Sequence, residues 1–277
     1  MKKLLVMVLT MGLVFSFAGC KKAEAPVQEA PAEAVEEAAG EKAEEETTEA
    51  DEASEEKTED AASTGEVMKY GDFVAAAVDD EVVVETYVQA KQSWWEDKAT
   101  VYTQDEDGAY FLYEMACSQE DYDKLTPGTK IKVKGYKAEW EGEVEIVDAT
   151  FEIEDGNFIA EAEDVTSLLG TDDIVQKQNK YVAFKDMKVE PSKDADGNEV
   201  AYLYKWDGSG EQGDDLYFNV SSNGETYNFT VESYLCDKES EVYKAVEALE
   251  VGQTVDLEGF LYWYQGINPH ITKVTVK

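Results

Sequence analysis

Six glycines set in two matching triplets constrain this chain more than any other feature. Gly128, Gly135 and Gly142 stand seven residues apart, and so do Gly252, Gly259 and Gly266. The text around them agrees: Leu125-Thr-Pro-Gly-Thr-Lys-Ile-Lys-Val-Lys-Gly135 aligns with Leu249-Glu-Val-Gly-Gln-Thr-Val-Asp-Leu-Glu-Gly259. Each segment then passes an aromatic residue, Trp140 or Tyr264, on the way to its third glycine. Internal repetition at this scale fixes architecture before any local assignment. It predicts two copies of one small β-rich module.

The amino terminus is of a different kind. Met1-Lys2-Lys3 is basic, and Leu4 to Phe17 is an apolar run too short to span a bilayer. Phe17-Ala18-Gly19-Cys20 resembles a bacterial lipobox. The resemblance implies a lipoprotein signal peptide over 1–19 and a lipid on Cys20, which would hold the protein at the extracytoplasmic face of the cell membrane. Residues 21–66 carry 17 carboxylates against four lysines and no aromatic residue. Such a stretch cannot bury enough apolar surface to offset its ordering entropy, so an acidic disordered tether is expected over 20–66. As a flexible coil it would reach about 35–40 Å.

The remainder is long enough for two domains, expected at 67–170 and 171–277. In the first, a short helix (Tyr70 to Val78) precedes a β-branched strand from Glu81, a turn at Trp94-Trp95-Glu96-Asp97, and strands at Ala99–Gln104 and Ala109–Met115 split by Asp107-Gly108. Ser118 is placed to cap a helix to Leu125, and two further strands begin at Lys130 and Glu143. The second module repeats the plan from Tyr181, with a turn at Asn223-Gly224, a helix from Glu241, and an insertion, Glu190 to Asp214, between its first two strands. Three antiparallel strands, a helix and a two-stranded hairpin, twice over, resemble the oligonucleotide/oligosaccharide-binding (OB) barrel. The expected fold class is therefore all-β with short helices, as two tandem five-stranded OB-like barrels.

In barrels of that kind the loops joining strands one to two and four to five rim the binding face. The resemblance puts Trp94, Trp95 and Trp140 on the rim of the first module, and Tyr202, Tyr204, Trp206, Trp263 and Tyr264 on that of the second. These eight are the expected ligand-binding residues, since aromatic faces stack on sugars, bases or peptide side chains.

Net charge narrows the ligand. The chain carries −38, of which about −27 falls on the two modules, and it has no arginine. Binding through phosphate neutralisation needs a basic surplus, so nucleic acid is not an expected partner. Lys130, Lys132, Lys134 and Lys137 form the single basic stripe, read as a solvated strand face or as a contact with Asp256 and Glu258 of the other module. No catalytic, metal or cofactor site is expected. His270 is the only histidine, Asp194 to Glu199 lacks the spacing of a calcium loop, and Cys117 and Cys236 are read as buried thiols ahead of the two helices. The chain is thus expected to be a non-enzymatic, lipid-anchored envelope protein that binds a glycan, a peptide or a small ligand. The alternative is a structural or assembly lipoprotein that binds protein partners or itself.

Overall fold

Strand follows strand in the predicted order. The computed structural model describes residues 65–277, so the signal segment, Cys20 and nearly all of the tether lie outside the described residues. A short helix α1 (Tyr70–Ala75) leads into β1 (Glu81–Lys91), β2 (Lys98–Gln104) and β3 (Ala109–Ala116). Helix α2 (Gln119–Lys124) then leads to β4 (Thr129–Trp140) and β5 (Glu143–Asn157). These five close into a barrel in the order β1-β2-β3-β5-β4.

A two-residue strand β6 (Glu163–Asp164) and two 3-10 turns connect to the second barrel. Its strands are β7 (Tyr181–Glu190), β11 (Leu216–Ser222), β12 (Glu225–Val231), β13 (Thr254–Phe260) and β14 (His270–Val276), with helix α3 (Glu241–Glu247) between β12 and β13. Pairing of β11 with both β12 and β7 closes this set as well. The insertion supplies β8 (Ser192–Lys193), β9 (Glu199–Val200) and β10 (Leu203–Tyr204).

The repeated glycines explain themselves in this geometry. Gly128 and Gly252 hold φ near +90° in the turns that start β4 and β13, a region that side chains disfavour. Gly135 and Gly259 sit where β4 and β13 slip register against β5 and β14. A Cβ on Gly135 would lie 2.8 Å from the Val147 carbonyl oxygen, and one on Gly259 would collide with the His270 carbonyl. The backbones approach so closely there that only glycine fits. Both helices are capped alike: Ser118 Oγ accepts from Asp121 N, and Ser240 Oγ from Tyr243 N.

Local turn chemistry departs from expectation at one hairpin, and the expected turn at Trp94–Asp97 forms. Asp107-Gly108 is not a positive-φ turn; Asp105 accepts from both of those backbone N–H groups and holds the chain instead. Glu96 and Asp97 do adopt positive φ, 46° and 58°, without a glycine. Lys137 is buried, and its ammonium donates to the carbonyls of Phe73, Val74 and Ala76 at 2.8–3.0 Å. It closes the carboxyl end of α1, where unpaired carbonyls favour a cation.

Candidate functional site: one covered barrel face and one open one

The outer faces of strands two and three differ sharply between the barrels. In the first barrel Val101, Tyr110 and Leu112 point into the core, which turns Tyr102 and Phe111 outward as a cross-strand pair. Both are nevertheless buried, because the second barrel covers them. Phe260, with Tyr181, Leu235 and Tyr262 around it, completes a separate apolar cluster with these two rings. Tyr102 stacks on Phe260 at 4.5 Å between centroids, and Phe111 meets Tyr262 edge-on at 5.4 Å. Tyr102 Oη lies 2.6 Å from His270 Nδ1, and burial lowers the imidazole to about 3, so it stays neutral.

Hydrogen bonds stitch the edge of this seam. Tyr181 N donates to Gln104 Oε1, Ser93 N to the Tyr234 carbonyl and Gln265 N to the Glu141 carbonyl, all at 2.7–2.8 Å. Glu143 is fully buried and accepts from Trp263 N at 2.9 Å and from Gln178 Nε2 at 3.2 Å.

The second barrel keeps its corresponding face open, and its chemistry is different. Leu216, Phe218 and Val220 face the core, so Tyr217, Asn219 and Ser221 face out beside Thr226, Asn228 and Thr230. Thr226 and Asn228 are exposed. Asn228 Nδ2 donates to Asn219 Oδ1 at 2.9 Å, and Asn219 Nδ2 donates to Ser192 Oγ at 3.0 Å at the start of the insertion. Thr230 Oγ1 donates to Asn268 Oδ1 at 2.9 Å, where the last loop covers the far end. The six outward positions carry no charge, in a chain whose residues are 31% charged. The bordering Lys188 and Glu190 form an ion pair at 2.9 Å.

The eight aromatics expected on the rims fall into three groups. Trp140 packs on Tyr264 with the rings tilted and 5.1 Å between centroids, and Trp263 lies against Gly142, so these three join the two barrels. Tyr202 and Tyr204 pack on the core of the second barrel, and Tyr204 Oη donates to Glu247 of α3 at 2.6 Å. Trp94 donates its indole N–H to the Cys117 carbonyl, and Trp206 is half-buried in the insertion. Trp95, at 69% exposure, is the most open of the eight.

The basic stripe is spent within its own barrel. Lys130 bridges Glu85 and Glu154 at 2.6 and 2.8 Å, and Lys134 pairs with Glu81; Asp256 and Glu258 pair with lysines of the second barrel. Asp194 accepts from Asp196 N, Asn198 N and Asn198 Nδ2, which uses its oxygens to build the β8–β9 turn. Cys117 and Cys236 are free thiols, pushed by burial up to about 11 and about 12.

No family model and no curated protein matches this chain. Among solved structures it is similar to a murine DNA-binding protein bound with double-stranded DNA, at 13% identity and TM-score 0.32, over 70% of this chain and 94% of that one. It is also similar to the Ifi202 HINa domain in complex with a 20-base-pair duplex, at 12% identity and TM-score 0.31, over 72% and 98%. A third is a replication protein A heterotrimer bound to single-stranded DNA, at 11% identity and TM-score 0.26, over 76% and 69%. These findings correct one expectation. Nucleic acid was set aside as a partner on net charge, in favour of a glycan, peptide or small ligand at the aromatic rims or, as the alternative, of protein partners; DNA-bound proteins stand among the similar structures, and the exclusion is withdrawn. The physical reason is that net charge is a sum over the whole surface, whereas recognition is local. The outward side chains of β11 and β12 are uncharged, and the carboxylate beside them, Glu190, is paired with Lys188 and accepts from Ser221 Oγ at 2.7 Å.

Proposed function

We propose that this chain is a non-enzymatic, lipid-anchored, extracytoplasmic protein that binds single-stranded oligonucleotide on the β11–β12 face of its second barrel. One observation carries the reading: the uncharged amide and hydroxyl ladder of Asn219, Asn228, Ser221 and Thr226, on the strand two–three face that the other barrel does not cover. OB barrels use that face for oligonucleotides. An amide offers a donor and an acceptor side by side, which matches the paired groups on a base edge. Unstacked bases of a single strand present those edges to a protein surface.

The ladder brings no cation to neutralise phosphate, so base and sugar contacts must supply the affinity. Attachment follows from the Phe17-Ala18-Gly19-Cys20 ending after an apolar run. The non-enzymatic character is supported by His270, which is enclosed and engaged by Tyr102, and by thiols held protonated by burial.

Anisotropy of labelled adenine and cytosine homo-oligonucleotides, titrated with the full chain in detergent, tests the reading. Binding should survive physiological salt and strengthen as salt screens the repulsion from the acidic surface, the reverse of a phosphate-led interaction. Asn219→Ala with Asn228→Ala should weaken it about tenfold or more, the loss of roughly one good base contact. An absence of binding, a steep loss of affinity with salt, or cell-wall oligosaccharide bound at the same residues in place of the oligonucleotide would overturn it.

A further inference from the structure

The seam between the barrels holds three carboxyl groups in its depth. Glu143 is 0% exposed, and Glu145 and Glu232 are each 8% exposed. Glu143 Oε1 and Glu232 Oε2 have no hydrogen-bond partner. The groups that face them are themselves acids, phenols, amides and a thiol. Glu143 on β5 meets Gln178 and Asn179 from the connecting segment, the Trp263 amide and Glu145. Glu145 meets Glu114 of β3. Glu232, at the end of β12, meets Asp215 and the backbone N–H groups of Tyr234 and Leu235, with Tyr102, Tyr217 and Cys236 also feeling its charge. Tyr262 lies within reach of all three and stacks on the neutral His270 at 4.3 Å. Among the described residues, no lysine belongs to this set. An ionised carboxylate placed there would lack both solvent and a counter-ion, the costliest arrangement for a buried charge.

We propose that the contact between the two barrels is proton-linked: it is held while Glu143, Glu145 and Glu232 are neutral and loosens as they ionise, uncovering the Tyr102–Phe111 face of the first barrel. Burial pushes Glu145 and Glu232 up to about 7 and Glu143 well above its ordinary 4.5. The closed seam therefore binds protons that an open one releases. Its stability is full below 4.5 and is lost as pH rises through about 7. His270, lowered from 6.5 to about 3, works in the opposite sense. Above 6.5 it is neutral in both states, so the carboxyls act alone there.

The covered face makes this more than a stability effect. Tyr102 and Phe111 occupy the position that the fold reserves for a ligand, and the second barrel occludes it. Opening the seam would give the protein a second, aromatic face alongside the polar one. This inference is independent of the oligonucleotide reading, because its test needs no ligand.

Amide hydrogen exchange on the full chain, corrected for the intrinsic rate, reads the seam directly. The Trp263 and Gln265 amides bridge the barrels, while Val84 and Val133 lie inside the first barrel as references. From mildly acidic to mildly alkaline pH, the two seam amides should lose about tenfold protection or more, the effect of a one-unit shift in a single group. The references should hold. The triple variant Glu143→Gln, Glu145→Gln, Glu232→Gln should flatten the profile, because a neutral amide has no charge to gain. Should it fail to fold, Glu145→Gln alone should still reduce the loss. Constant seam protection in the wild type, loss at seam and references together, or an unaltered profile in the folded variants would each overturn the proposal.

Discussion

The β2–β3 face of the first barrel and the β11–β12 face of the second occupy the same place in the same fold, yet they do opposite things. One presents Tyr102 and Phe111 and is buried under a neighbour; the other presents Asn219 and Asn228 and stays open. The difference lies in a handful of outward residues, since the inward sets are equally apolar. Aromatic rings on a sheet face gain by being covered, whereas amides that satisfy one another in a ladder lose little by facing water. Of two like barrels, one thus has a face that joins and the other a face that is open. A binding position inherited with a fold says where to look, and the residues on it decide what is found.

The comparison predicts that seam changes act on stability first. Phe260→Ala removes a ring that is 3% exposed and stacked on Tyr102, and should cost about 3–5 kcal/mol. Denaturant unfolding measures this directly. A loss below about 1 kcal/mol would mean that the barrels do not depend on their contact. Tyr102→Phe keeps the packing and removes only the hydroxyl that meets His270, which leaves a buried ring nitrogen unpaired. About 1–3 kcal/mol should be lost, and the imidazole proton resonances should shift. A smaller loss with unchanged resonances would place a water in that gap.

Much of the barrel was legible in the sequence, and the reasons are local. Glycine at 135 and 259 marks a close backbone approach that no other residue permits, and the alternation in Leu216 to Val220 marks which side faces the core. Ser118 announced its helix as a capping residue, and the structure shows Ser240 capping α3 by the same rule. What could not be read is which surface meets which. Trp140 and Tyr264 have the same spacing whether they rim a ligand site or clasp each other, because the contact joins residues 124 positions apart. The buried acids were hidden for a related reason: Glu143 and Glu232 sit in a chain with 62 acidic residues, and nothing local separates an enclosed one from a solvated one. The polar ladder did leave a signal. A run of uncharged Asn, Ser and Thr at the outward positions of two adjacent strands is unusual in so acidic a chain.

The open face should behave in the reverse way, with binding sensitive and stability not. Thr226 is exposed at the edge of the ladder, so Thr226→Glu and Thr226→Lys should each change stability by no more than about 0.5 kcal/mol. Their effects on oligonucleotide affinity should differ in sign. A new charge about 4 Å from a phosphate is worth about 1 kcal/mol in water, near fivefold in affinity, with Glu weakening and Lys strengthening the complex. Salt should erase both changes as the Debye length shrinks to the contact distance. If both substitutions leave affinity alone at low salt, the strand does not pass Thr226, and the open face loses its claim to be the binding one. If only the lysine variant binds at all, the neutral ladder is insufficient, and the contrast between the two barrels reduces to one of packing.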